Sequence, residues 1–328
     1  MKDISNVNFK ERKYLVFKKA NFLFDFGALR LTNFSFFDLL LKLSALFLVL
    51  LPVLIFIVLF INSLPAIEHL GLSVFTTNNW DPVNDKFGVI APLFVTVMVG
   101  VISTIFGLMI STPIAIFLSF YSRGKISSFF STVIDALASI PSVVLGLWAI
   151  FYVAPHIDKI ETIIKTLFGF IPFLNGTPSP FGLFTTILIL TLMLVPIQTV
   201  LIKELIILVP KSLIEAGFSL GITKFEIVKC LILPFIREGI IAVIFLSLAR
   251  GMEETMATAM LIGNRPFFPN SLFSPTATLT SIIANEFAEA FSRIYLSVLF
   301  ELGLILFILV FTTNVLAKLL LRLLYRRA

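Results

Sequence analysis

Charge, cysteine and histidine are all scarce in this sequence. Only 13% of its 328 residues are Asp, Glu, Lys or Arg, one is cysteine (Cys230) and two are histidine. A chain with one thiol closes no internal disulfide and builds no multi-cysteine metal site. His69 and His156 are far apart, lack a second ligand at metal-binding spacing, and read as solvated surface residues. No G-x-x-x-x-G-K-[ST] stretch occurs, so the chain cannot cradle ATP in the P-loop manner. No His/Asp/Glu ligand cluster or nucleophile constellation supports an enzyme, and no cofactor or metal is expected. A cleavable signal peptide is not apparent, because the first residues are mixed and charged and the first apolar run begins late. That run is expected to serve as the insertion signal.

What fills the sequence instead is apolar. Hydrophobic residues make up 58% of it and mean hydropathy is +1.05, well above the roughly 45–50% apolar share of soluble domains. Crossing a hydrocarbon core of about 30 Å takes roughly 20 residues in a helix. Runs of that kind fall at about 39–61, 89–120, 129–154, 181–209, 237–263 and 292–321. The fold expected is therefore all-α and polytopic, with an N-terminal segment 1–38 and a transmembrane domain 39–328. The second run is overlong, which predicts tilt, a kink at Pro113, or extension beyond the bilayer. Gly100, Ser103, Gly107, Ser111 and Pro113, then Ala136, Ala138, Ser139, Pro141 and Gly146, mark the second and third runs as helices facing protein. Pro196 and Gln198 are tolerable in the fourth on the same terms.

Basic residues fix an orientation. Lys2, Lys10, Arg12, Lys13, Lys18, Lys19 and Arg30 precede the first run, Arg123 and Lys125 follow the second, and Lys203, Lys211, Lys224, Lys229 and Arg237 lie between the fourth and fifth. Lys318, Arg322, Arg326 and Arg327 close the chain, while the opposite loops hold only Lys86, Lys159, Lys165, Arg265 and Arg293. By the positive-inside rule both termini and residues 210–236 are cytoplasmic. The net charge of +6 is thus a topological signal spread over four segments, and no nucleic-acid partner is expected. Residues 1–38 interleave Lys and Arg with Phe and read as a segment on the lipid surface, the plainer alternative being a poorly ordered tail. In the outer loops, residues 64–72 suit a short amphipathic helix, Trp80 an interfacial anchor, and the turn formers of 175–180 argue against regular structure. Asp135 reads as an interfacial or helix-start carboxylate.

One polar stretch is patterned by spacing. Ser212 stands three residues before Glu215 and Thr223 three before Glu226, so two capping boxes can start two short helices. Gly221 lies between them where a left-handed turn is needed, and Pro234 is expected to end the second helix. Glu215-Ala216-Gly217, three residues, Gly221, nine residues and Leu231-x-Leu233-Pro234 resembles the EAA loop of ABC importer permeases. Gly217 and Leu231 are mild departures from that pattern. The resemblance implies a type I importer permease fold and a coupling helix, through Glu215, Ala216, Gly217, Gly221, Leu233 and Pro234, that docks on a cytoplasmic ATPase.

The second polar cluster is Arg250-Gly251-Met252-Glu253-Glu254-Thr255-Met256-Ala257, inside the fifth run. Charge at that depth costs about 2.5–3.5 kcal/mol per residue on insertion scales. In a continuous helix both Glu253 and Glu254 could reach Arg250, three and four positions away. Two readings stay open from charge alone: a lock between helices, or an arginine fork for an oxyanion in transit. Arg250 to Asn264, with Ile140-Pro-Ser-Val-Val-Leu-Gly-Leu-Trp148 and Leu279 to Ala290, resembles PstC-type permeases of phosphate ABC importers, over about residues 87–325. The resemblance implies a phosphate path along Arg250 and Glu254, a PstA-type sister permease, two ATPase subunits and an extracytoplasmic phosphate-binding protein. Glu253 stands where the family has glycine. Permeases for sulfate or molybdate are the nearest alternative; a secondary transporter would lack the docking loop. Glu286 and Glu289 read as surface acids, and Glu301 is unassigned.

Overall fold

The computed structural model describes residues 36–122 and 124–327. The basic and aromatic segment before residue 36, and Arg123, lie outside the described residues. Residues 1–55 and 56–328 form two compact units. Of the first, the described part is the opening of helix α1 (Phe36–Leu70), whose Leu and Phe side chains stand open, Leu48 at 74% exposure. The second unit holds everything else.

Long apolar stretches without caps become long helices, since each backbone N–H and C=O must find its partner inside its own segment. Helix α1 runs nine residues past the expected end of the first run, through Pro65, and takes up most of the expected amphipathic helix; a 3-10 turn at Gly71–Phe75 follows. Strands β1 (Trp80–Asp81) and β2 (Lys86–Phe87) form a small antiparallel hairpin around Asp85, which is left-handed at φ 51°. Helix α2 (Ile90–Ile116) continues as a π turn, Phe117–Tyr121, over the expected second run and contains Pro113.

The third run is corrected. Residues 125–168 form α3 (Lys125–Ala138), α4 (Ser142–Trp148), a π turn and α5 (Ala154–Phe168). The break falls at Ser139–Pro141, because a proline disfavours the helical conformation of the residue before it and lacks a donor of its own. The length able to cross a membrane is therefore Ser142–Phe168, and half of the expected loop 155–180 is helical. Helix α3 buries none of its residues fully within this chain; Ala136 and Ser139 are exposed on it and Ala138 is half-buried, whereas Gly146 is buried. Asp135 lies in the third turn of α3 and is exposed, not at a helix start. Helix α6 (Leu183–Ile207) matches the fourth run. Then come α7 (Lys211–Ser219), α8 (Lys224–Ile227), a π turn, α9 (Leu233–Glu253), α10 (Met256–Leu261), α11 (Leu279–Glu286) and α12 (Arg293–Arg327). Among the described residues, six helical stretches are long and apolar enough to cross a membrane.

Within the second unit α2 and α6 form the central pair. Gly100, Ser103, Gly107 and Ser111 are buried along one face of α2, as small residues at helix contacts should be. Against them the Gln198 amide donates to the Thr104 carbonyl at 3.3 Å and accepts from Ser111 Oγ at 3.2 Å. Three apolar clusters follow along the chain: one joins the hairpin to α11 and α12, one centres on α2, α6 and α10, and one joins α6 to the segment 209–243.

The hairpin cluster is tied by one carboxylate. Glu286 accepts from Trp80 Nε1 at 3.0 Å and from the Tyr295 hydroxyl, with Phe87 edge-to-face on Trp80 and stacked on Tyr295. Glu286 is thus a packing residue, not a surface acid, and Trp80 is anchored to protein through its indole N–H. Glu289 is exposed as expected. Burial raises the Glu286 pKa, outweighing the two hydrogen bonds that favour the charged form; the Glu289 charge adds to the rise. A carboxyl with a raised native pKa holds its proton more tightly when folded. Its stabilisation is complete below the ordinary value of 4.5 and is lost as pH climbs through the native value. Thermal unfolding of the wild type followed upward from about pH 4.5 should show this loss, and Glu286→Gln, which cannot ionise, should lack it. Identical pH slopes in the two proteins would contradict the assignment.

Candidate functional site

Helix α9 stops in the middle of the charged cluster. Glu253 is its last residue, Glu254 is extended (φ −64°, ψ 118°), and α10 begins two residues later. The continuous fifth run expected over 237–263 is therefore broken. With it goes the i, i+4 pairing of Arg250 and Glu254, which needs uninterrupted helix. Among the described residues neither Glu253 nor Glu254 forms an ion pair with Arg250. Instead the Glu254 carboxylate accepts from the Ala257 backbone N–H at 3.4 Å, in the first turn of α10.

The break frees backbone carbonyls, and threonines take them. Thr255 Oγ1 donates to the Glu253 carbonyl at 3.0 Å. The Glu254 carbonyl accepts from Thr258 Oγ1 at 2.6 Å and from Thr280 Oγ1, on α11, at 2.9 Å. No proline or left-handed residue is involved, so little in the sequence announced the interruption; the signal was the three hydroxyls at 255, 258 and 280. Next to it α2 and α9 nearly touch: a Cβ on Gly251 would lie 3.3 Å from Gly100 Cα. Beyond α10 the chain turns at Gly263 (φ 89°), where a Cβ would also strike Pro275 at 2.6 Å. Arg250 and Glu253 are exposed on the surface of this chain and Glu254 is half-buried. The three predicted residues thus share one place in the fold, but as separate groups around a break. Glu301 is buried on α12 with one carboxylate oxygen lacking a partner.

The second feature is the segment 210–236. Only one of its two capping boxes forms. Thr223 Oγ1 accepts from the Glu226 N–H at 3.3 Å, and the Glu226 carboxylate accepts from the Thr223 N–H at 2.7 Å. Ser212 makes no cap, because α7 begins at Lys211, two residues too early, behind Pro210 as its N-cap. Gly221 is left-handed at φ 77°, as expected. Pro234 does not end a helix: the Leu233 N–H reaches back five residues to Val228, and the π turn carries α8 into α9 without interruption. Gly217 is buried, and a Cβ there would meet Leu231 Cδ1 at 3.0 Å. Leu213, Ile214, Ile222 and Ile227 pack down onto Ile202, Ile206 and Ile232. The other face, with Glu215, Ala216, Leu220 at 82% and Phe225 at 68% exposure, is open. Cys230 is exposed there too.

This geometry has counterparts. A family described as binding-protein-dependent transport system inner membrane component matches residues 111–328. A phosphate transport system permease protein PstC of Mesorhizobium japonicum is 36% identical over 79% of this chain and 81% of its own length. The chain belongs to the PstC-type permease family. A second PstC relative, from Haemophilus influenzae, is 36% identical over 81% of this chain and 85% of its own. A probable PstC of Methanocaldococcus jannaschii is 32% identical over 78% and 83%. Among solved structures, the MetNI methionine ABC transporter in inward-facing form superposes with a TM-score of 0.53 at 19% identity, covering 71% of this chain and 94% of that one. A bacterial ABC transporter for the import of alginate gives 0.58 at 14% identity, covering 94% and 98%. These two show the fold, a type I importer permease. Within that fold this chain carries both features, a broken helix with three charged residues and a half-capped hairpin at 210–236.

The capping difference has a direct test. Removing a made cap should speed local opening about fivefold, whereas removing an unmade one should change little. Amide hydrogen exchange over residues 223–228 should therefore quicken in Thr223→Ala, and exchange over 211–216 should stay as in wild type in Ser212→Ala. Equal effects from both would contradict the geometry.

Proposed function

We propose that this chain is one of two membrane subunits of an ATP-driven phosphate importer, paired with a PstA-type sister, two ATPase subunits and an extracytoplasmic phosphate-binding protein. The observation that carries the substrate is the similarity to PstC phosphate permeases over four-fifths of both chains. In this reading the chain performs no covalent chemistry; it forms half of the path and couples it to nucleotide hydrolysis elsewhere. The exposed face of 210–236, with Leu220 and Phe225, is the ATPase contact, supported by its EAA spacing and open apolar side chains.

Arg250 is the residue assigned to the anion. Its side chain is exposed on this chain and free of a carboxylate partner among the described residues, so its fork is available to a tetrahedral oxyanion. Glu254 is a positioning residue that holds the first turn of α10. Glu253 faces outward beside them, where the family's glycine would add no charge.

Arg250→Lys keeps the charge and loses the fork, so phosphate uptake by the reconstituted complex should fall tenfold or more with assembly intact. Glu253→Gly removes a repelling charge and should leave uptake unchanged or higher. An active Arg250→Lys together with an inactive Glu253→Gly would remove Arg250 from the path.

Both termini and the 210–236 segment are assigned to the cytoplasm on the strength of the basic residues. Cys230, exposed on that segment, reports on this directly. A membrane-impermeant maleimide should fail to label it in intact cells and label it in inverted vesicles. Labelling from outside would reverse the topology.

A further inference from the structure

At the end of the molecule that carries the segment 210–236, α2, α3 and α6 line an open-mouthed cavity of about 440 Å³. Among the described residues its polar lining is five hydroxyls and one ammonium: Ser119 and Ser122 from the end of α2, Ser127, Ser128 and Ser131 from α3, and Lys203 from α6. Only Ser127 is committed as a donor, to the Leu118 carbonyl at 2.8 Å. Ser119 Oγ is buried with no partner, and among the described residues the hydroxyls of Ser122, Ser128 and Ser131 have none either. Among the described residues no carboxylate lines the cavity, and Lys203, half-buried, forms no ion pair.

A half-buried ammonium among unused O–H donors is matched by one kind of ligand. It must carry negative charge, offer several acceptor oxygens in a small volume and need no donor in return. Carboxylates offer two oxygens in a plane; a phosphate group offers them in three dimensions, as the donors are set here on three helices. We propose that this cavity binds a phosphate group, either the phosphodiester of an anionic lipid or inorganic phosphate. Its rim supports the lipid source, since Ile207 stands 63% exposed beside Leu118 where an acyl chain would lie. The site is separate from Arg250 in sequence and element, and the inference stands whatever the transported substrate is. It also adjoins the coupling segment: Lys224 Nζ lies 5.9 Å over the ring of Tyr121, in the same π turn as Ser119.

The test uses the full-length chain purified in detergent and stripped of lipid. Native mass spectrometry measures binding of dioleoyl-phosphatidylglycerol against dioleoylglycerol, which has the same chains and no phosphate. Equilibrium dialysis with radiolabelled inorganic phosphate measures the free ion. Lys203→Gln should weaken the bound phosphate species about tenfold, Ser131→Leu should weaken it by filling the cavity with the charge intact, and Lys203→Arg should retain it. A loss confined to phosphatidylglycerol assigns the lipid headgroup, and one confined to inorganic phosphate assigns the free ion; either upholds the site. If the wild type binds neither species, or binds both no better than Lys203→Gln and Ser131→Leu do, the proposal fails.

Discussion

Every backbone carbonyl in an apolar surround must find a donor, because leaving one bare costs several kcal/mol and lipid supplies no water to replace it. The architecture follows from how this chain meets that demand where its helices are not regular. Pro113 and Pro196 lie inside helices and each removes a donor. Beside α6 the Gln198 amide serves the Thr104 carbonyl across the helix pair. At Glu253 and Glu254 three threonine hydroxyls serve two carbonyls, one of them from α11. The Thr280 bond also fixes α11 to the break, so interruption and long-range contact have one cause. The helix can end here because side-chain donors from two elements arrive at the same point.

That point is joined by continuous helix to the segment 210–236. From Lys224 the backbone is helical, through the π turn, to Glu253, thirty residues in all, or about 45 Å at 1.5 Å per residue. A displacement of α8 therefore reaches Arg250 through a helix and not through a loop. The capping box at Thr223 makes the near end firm, and the extended residue at Glu254 gives the far end a place to pivot. Rigid-body rocking of elements about such points is a common form of transporter switching. On the proposed reading, the chain transmits motion by having regular structure between two irregular ends.

Length and hydropathy made the number of membrane helices legible, since six long apolar stretches cannot be folded otherwise. Spacing made the hairpin at 210–236 legible, down to the sign of φ at Gly221. Two details misled because a neighbour decided them. Ser212 has the cap pattern, but α7 starts two residues earlier, with Pro210 at its N-cap and Ser212 already inside the first turn. Pro234 reads as a stop, yet the π turn lets Leu233 bond five residues back and the helix absorbs it. The break at Ser139–Pro141 was announced by its proline, and the run of apolar residues across it obscured the signal. The break at Glu254 carries no helix-breaking residue at all. Its cause is the supply of hydroxyl donors, from residues as far away as Thr280, which no local pattern encodes. The role of Glu286 was hidden for the same reason: Trp80 and Tyr295 are its partners only in three dimensions.

The acid at position 253 can be understood from the same geometry. A glycine at the end of a helix eases termination, because it adopts the turning conformations other residues resist. Here termination does not depend on it. Glu253 closes α9 in ordinary helical geometry, the following residue is extended rather than left-handed, and Thr255 answers the Glu253 carbonyl. A side chain at 253 is therefore free of backbone strain, and because it projects outward it meets no packing obstacle within this chain. What remains is its charge, next to an arginine assigned to an anion. On the proposed reading, any effect of this residue on transport is then electrostatic.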